Sequence, residues 1–331
     1  MSDEDKPSEK SGTLEVVKQV IGDINLPKLI AGPAGDAISR LIAGGADIPA
    51  AWLEQKAKSI RDKTAAQSQI AKTLADAASE LVKNDPGLVQ RAADAFLAKE
   101  LRHQHNRETI AVKAIEQLKE TSDAETTKPD DDWLNMFARH AQEASSERLQ
   151  DMWARVLAGQ LRKPHSFSLQ TLRFISELDE QIAALFDKWS VRVIGAELIA
   201  FPETHGDNFT ELLALEEYGL VTGVTGNLSR QFREKKDVPA APILRWAFPF
   251  KDHVLLVDIR QQATVEVPIV LLTRIGRELF SVTRTPGTIE PVKAFADQFP
   301  KENVERLMLL TKALPNTEPE VLWRKPGEAA G

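Results

Sequence analysis

The sequence predicts a mainly α protein: a long antiparallel helical hairpin, a helical central region and a winged-helix-like α+β module towards the C-terminal end. Three observations predict it. Apolar residues recur at spacings of three and four through most of 49–119. Asp130–Phe174 reads as two short helices and a cap-initiated third, dense in apolar and aromatic residues. After Ser190 the pattern changes to β-branched runs separated by turn residues.

Length and charge bound the answer. A chain of 331 residues leads us to expect about two domains. With 42% hydrophobic and 27% charged residues it can bury a real core. A net charge of −7 disfavours broad, non-specific nucleic-acid binding, which depends on Lys and Arg neutralising phosphates, although it leaves room for a local basic patch. The chain has no Cys, which excludes disulfides, thiolate-held metals and thiol nucleophiles. The cytoplasm is the expected compartment.

Residues 1–12 are acidic and polar, without the basic and apolar regions of a signal peptide, and read as a disordered tail. Residues 13–120 form the N-terminal helical region. In it, Ile38, Leu41 and Ile42 make a small apolar face among Gly32, Gly35, Gly44 and Gly45. Short packing helices are the expectation there, and a membrane-surface element is the alternative. Pro27, Pro33 and Pro49 break the Leu26–Leu53 stretch before it reaches the length of a membrane span.

A long helix is expected from Pro49, with Asp47 placed to cap it. Leu53, Ala57, Ile60, Thr64, Gln67, Ala71, Leu74, Ala78 and Leu81 form a heptad seam suited to a coiled coil. Asn84-Asp85-Pro86-Gly87 is strong turn chemistry, and a second long helix follows over Leu88–Lys119. Its ends are apolar, at Val89, Ala92 and Phe96 and again at Ile110, Ala114 and Leu118. Its middle is polar apart from Leu101. A hairpin folded at the turn places Thr64 and Gln67 against His103 and Asn106. These four are the candidate polar layer that sets register.

Residues 121–132 read as an acidic linker and 133–190 as the central helical region. Trp133, Met136, Phe137 and His140 share one helical face. Ser145 or Ser146 caps the next helix, whose stripe is Leu149, Met152, Trp153, Val156 and Leu157. Lys163-Pro164 breaks the chain, and Ser168 caps a third helix, with Phe167 placed to staple to Leu172. Residues 191–314 carry the module: a short helix at Asn208–Tyr218, strands at Val254–Arg260 and Thr264–Leu271 joined as a hairpin, and a helical turn at Thr273–Phe280. Pro291–Phe299 and Glu302–Leu314 read as helices, and 315–331 as a tail. A helix, the phrase Glu216–Val221 and a two-stranded wing follow the order of a winged helix.

Neither a cofactor nor a metal is expected. His103 and His105 stand two apart on a helix and point to different faces. Three consecutive acids, Asp130–Asp132, suit a helix N-terminus better than a cation site. Adjacent Glu216 and Glu217 do not face one another. No metalloprotease, EF-hand or nucleophile-elbow motif occurs. The basic cluster at Arg230, Arg233, Lys235 and Lys236 would serve a nucleic-acid reader as a phosphate contact. Glu211, Glu216 and Glu217 make the helix beside it acidic, which counts against that role.

Four segments carry a family resemblance: Leu101–Leu118, Asp132–Gln160, Ser166–Leu178 and Leu271–Phe280. Together they resemble the bacterial proteins grouped as domain of unknown function 2806. The central phrase Trp153–Gly159 is the most specific part, and it is also similar to a segment of abortive-infection alpha-type proteins. The resemblance implies a cytoplasmic bacterial protein tied to phage defence, and it brings no catalytic residues. The sequence therefore favours a non-enzymatic helical protein that assembles with itself or with a protein partner. A nucleic-acid-binding regulator is the first alternative, and a defence effector acting on membranes through Leu26–Leu53 is the second.

Overall fold

A computed structural model describes residues 33–43, 86–119, 126–200, 202–232, 243–260, 265–313 and 318–326. The seam Leu53–Leu81, with Thr64 and Gln67, lies outside the described residues, as do the tail at 1–12 and Arg233, Lys235 and Lys236. The described residues hold nine helices and nine strands. They divide into two compact units between Ser176 and Glu177.

The first unit is helical: α1 (Pro33–Ile42), α2 (Pro86–Lys119), α3 (Asp131–Ala141), α4 (Glu147–Arg162) and α5 (Leu169–Glu177). The caps fall where the local sequence demands. The Asp130 carboxylate accepts from the backbone N–H groups of Asp132 and Trp133, and Ser146 Oγ accepts from Leu149 N–H. Ser168 Oγ accepts from Thr171 N–H at 3.3 Å. Of the remaining acids, Asp131 pairs with Arg40 of α1 and with Lys128. The Arg40 hydrogen bond, then Lys128, holds the Asp131 carboxyl below its usual range.

The core of this unit is built from matching stripes. Ile38 and Leu41 of α1, Ile110, Ala114 and Leu118 of α2, and Trp153, Val156 and Leu157 of α4 are all buried. The apolar face of α1 is thus used inside the protein, as a packing helix uses it. Phe137 stacks on Trp133 at 5.2 Å and meets Trp153 edge-on at 5.2 Å. The Trp133 indole N–H donates to Phe167 O, and the Gln160 side chain accepts from Phe167 N–H. Those two bonds pin the connection after Lys163, and the Phe167 ring lies over Gly159, where a Cβ would come within 2.8 Å of it.

The second unit opens with α6 (Glu180–Ser190), capped where the Asp179 carboxylate accepts from Ile182 N–H, and α7 (Asp207–Glu217), which starts at Gly206 without a side-chain cap. Gly219, at φ +74°, ends α7, and Leu220 N–H bonds back to Leu215 O. One sheet contains β1 (Val193–Ile194), β2 (Leu198–Ala200), β3 (Val221–Thr222), β4 (Ser229–Phe232) and β7 (Val265–Leu272). Its order is β1-β2-β7-β3, with β4 also paired to β7. The other sheet, in the order β5-β6-β8-β9, contains β5 (Ile243–Pro249), β6 (His253–Arg260), β8 (Val304–Thr311) and β9 (Glu320–Arg324). The helices α8 (Arg274–Phe280) and α9 (Glu290–Asp297) complete the unit.

Two expectations are corrected here. The strands β6 and β7 do not form a hairpin: β6 pairs with β5 and β8, whereas β7 pairs with β2, β3 and β4. The expected two-stranded wing is therefore absent as drawn, and the antiparallel pair that follows α7 is β4–β7. The expected helix over Glu302–Leu314 is strand β8, because Val304–Thr311 fills the place between β6 and β9. The run Val191–Phe201, which suits helix or strand, forms β1 and β2. The expected helix Pro291–Phe299 matches α9.

Close approach fixes α8. Thr273 Oγ1 caps it at Gly276 N–H and also donates to Gly219 O. A Cβ on Gly276 would lie 2.1 Å from Leu220 O. We expect Gly276→Ala to destabilise the C-terminal unit by about 2–3 kcal/mol, since a backbone carbonyl cannot rotate away as a side chain does. Urea denaturation of the purified variant checks this, and an unchanged midpoint would show that α8 shifts freely.

Candidate interaction site

Helix α2 is the longest element described. Its 34 residues span about 50 Å at 1.5 Å per residue. Burial changes part-way along it. From His103 to Leu118 one side is buried against α1, α3 and α4, whereas Gln90–Lys99 and Leu101 are exposed. Three large apolar side chains stand in that exposed half: Phe96 is 64% exposed, Leu97 58% and Leu101 62%. Leu97 and Leu101, four residues apart, form a stripe along one face, and Phe96, about 100° round the helix from Leu97, widens the exposed apolar surface beside it.

A polar collar marks the change. His103 is buried, with Nε2 3.0 Å from Glu143 Oε1. The Asn106 amide N–H donates to Gln142 O at 2.8 Å, and Asn106 Oδ1 accepts from the Gln150 amide at 3.2 Å. The Gln150 amide also donates to Ala144 O. Arg107 donates from Nη1 to Gln142 Oε1 and from Nη2 to Gln104 Oε1, each at 2.7 Å. Burial pushes the Arg107 guanidinium down from its usual value, and Glu100 and Glu108 work against that shift. Lys113, further along, ion-pairs with Asp151 at 2.9 Å, and that bond raises its pKa. These contacts fasten α2 to α4 and the α3–α4 connection.

Of the expected polar layer, His103 and Asn106 thus meet on one side of α2. Their polar groups engage Glu143, Gln142 and Gln150, which sequence reasoning did not select. The signal available for finding them was weak: Gln150, like Gln160, is a polar residue among the apolar buried positions of α4. Arg230 of the basic cluster lies on β4, 3.5 Å from Glu197 Oε2, beside a small cleft floored by Leu198, Phe248 and Val267. It is engaged with a carboxylate of its own unit. Glu211 on α7 receives the Lys188 ammonium at 2.6 Å and the Trp189 indole N–H, which lower its pKa in that order.

Among the described residues no group of three or more His, Asp or Glu could hold a metal ion. No described helix is long and apolar enough to cross a membrane. What this part of the molecule offers is a projecting helical face on a fixed base, suited to packing against another helix.

Comparison with known proteins agrees with the helical half. Residues 90–197 match the model of a family described as a protein of unknown function (DUF2806). The matched span runs from the exposed half of α2 through the collar and the aromatic core to β1. No curated protein and no solved structure matches the chain.

Replacing Asn106 by Leu keeps the volume but removes the donor to Gln142 O and the acceptor for Gln150. We expect Asn106→Leu to lower the stability of the helical unit by about 1–3 kcal/mol, the cost of leaving buried polar groups unpaired. Thermal unfolding followed by circular dichroism measures it, and an unaltered melting temperature would reduce the collar to an incidental contact.

Proposed function

We propose that this chain is a non-enzymatic assembly protein that joins a second copy of itself through the exposed half of α2. The observation that carries this reading is the stripe of Leu97 and Leu101, flanked by Phe96, standing in solvent on a helix whose base is fastened. Apolar side chains grouped on one helical face gain roughly 25 cal/mol per Å² when a partner covers them. A second copy supplies both the same stripe and, in its sequence, the heptad seam Leu53–Leu81, whose Ala residues admit a close helical neighbour. On the likeness of Trp153–Gly159 to abortive-infection alpha-type proteins, a sequence likeness alone, we extend the proposal to a component of phage defence.

Nucleic-acid binding through Arg230, Arg233, Lys235 and Lys236 is the weaker reading. Arg230 faces Glu197, and α7 beside it carries acidic residues.

The test is the mass of the purified protein by light scattering over a range of concentration. The wild type is expected to form a defined oligomer free of nucleic acid. The triple variant Phe96→Ser, Leu97→Ser, Leu101→Ser is expected to be monomeric. Its melting temperature at low concentration should match the wild type, because exposed positions contribute within about 0.5 kcal/mol each. A wild type that stays monomeric at the highest concentration, or a variant that still assembles, would overturn the proposal.

A further inference from the structure

The sheet β5-β6-β8-β9 has two faces of different character. One row that crosses all four strands, Trp246, Val257, Leu307 and Trp323, packs on or within the core, where Phe248 meets Phe295 and Phe299 of the α9 segment. The neighbouring row, one residue along each strand, is Arg245, Asp258, Arg306 and Arg324. Side chains alternate along a strand, so this row lies on the opposite face. Beside it runs a third row, on the same face as the arginines: Ala247, Leu256, Met308 and Val321. Ala247 and Val321 are exposed and Leu256 is half-buried.

The charged row is organised by one carboxylate. Asp258 is buried and accepts from Arg245 Nε at 2.7 Å, from Arg245 Nη2 at 3.0 Å and from Arg306 Nε at 3.1 Å. Next to it Glu305, also buried, accepts from Arg260 and lies 3.4 Å from Lys325 Nζ. In these two clusters, with Arg324, five cations stand against two carboxylates, in a chain of net charge −7. Arg306 donates from Nε alone among the described residues, and its terminal nitrogens keep their donors. The side chain of Arg324, directly opposite Arg306 on the edge strand, makes no hydrogen bond or ion pair among the described residues. Like charges directly opposite one another weaken a sheet. Stability of the unit therefore does not account for this pair, whereas a bound anion would.

We propose that this face docks an acidic, amphipathic segment of a protein partner. Its carboxylates meet Arg306 and Arg324, and its apolar side chains cover Ala247, Leu256 and Val321, which lie beside the buried Met308. Charge complementarity selects the occupant. The guanidinium of Arg245, and that of Arg306 through Nε, are held in place by Asp258, so binding loses little side-chain entropy in ordering them. The four strands span about 14 Å, the length of about ten residues of helix. The face carries no aromatic ring, because Trp246, Phe248 and Trp323 are on the core side. That removes the stacking platform on which single-stranded nucleic acid depends.

The experiment uses the full chain and fluorescence anisotropy. The probe is a labelled amphipathic peptide of Glu, Leu and Ala, compared with a Lys-for-Glu version and with oligothymidine. We expect the Glu peptide to bind, to weaken as salt rises, and to bind at least tenfold more weakly to Arg324→Glu. Among the described residues the Arg324 side chain has no partner to lose, and Glu at this position stands opposite Arg306, so this variant melts no lower than the wild type. Val321→Glu should weaken the same peptide. No binding of the Glu peptide up to about 1 mM, the weak end of specific recognition, overturns the proposal. So does equal binding by Arg324→Glu, or oligothymidine binding that Arg324→Glu abolishes while the peptide stays unbound.

Discussion

The helical unit depends on how α2 is held at His103, Asn106 and Arg107. These three side chains are buried; Asn106 and Arg107 hydrogen-bond to partners on the α3–α4 connection, α4 or α2 itself, and His103 lies 3.0 Å from Glu143 Oε1. Buried polar groups tolerate no slippage, since a shift of one turn would leave Asn106, Gln142 and Gln150 with unmade bonds in a place water does not reach. The apolar contacts of Ile110, Ala114 and Leu118 are less particular, because a displaced methyl group finds another. The polar collar therefore sets the register of α2, and with it which residues project beyond the packed core.

Around that fixed helix the aromatic residues of α3 and α4 do the filling. Trp133, Phe137 and Trp153 bring large apolar area and defined ring geometry. Trp133 adds a bond to the backbone at Phe167, which draws the connection after α4 back over the core. Gly159 belongs to the same device, because only a residue without Cβ leaves the Phe167 ring in its place. The two ends of the phrase Trp153–Gly159 are thus explained by packing.

The C-terminal unit follows a different logic. The chain leaves the first sheet after β4, contributes β5 and β6 to the second, and returns to the first with β7. Strand β6 pairs with its neighbour β5 and with the distant β8, β7 finds only partners distant in sequence among the described residues, and Gly276 lets α8 press close on Leu220. Burying one face of the second sheet against α9 leaves the other to the arginine row.

Local chemistry was legible in the sequence. The caps at Asp130, Ser146 and Ser168, the break at Lys163-Pro164, the turn at Gly219 and the helices between them depend on neighbours within four residues. A few side-chain and backbone groups decide each one. Non-local pairing was not legible. Val304–Thr311 is an apolar run that suits helix or strand, and its place between β6 and β9 chose strand. The β6–β7 hairpin fails for the same reason, since two adjacent strands pair only if no better partner exists elsewhere. Along α2, hydropathy alone marks Phe96 for burial, and the fold leaves it exposed. Sequence by itself determined the helix ends that carry a local cap or breaker and the lack of recognisable catalytic motifs. Only the tertiary structure decided which faces are covered, because burial depends on what a surface meets and not on what it is made of.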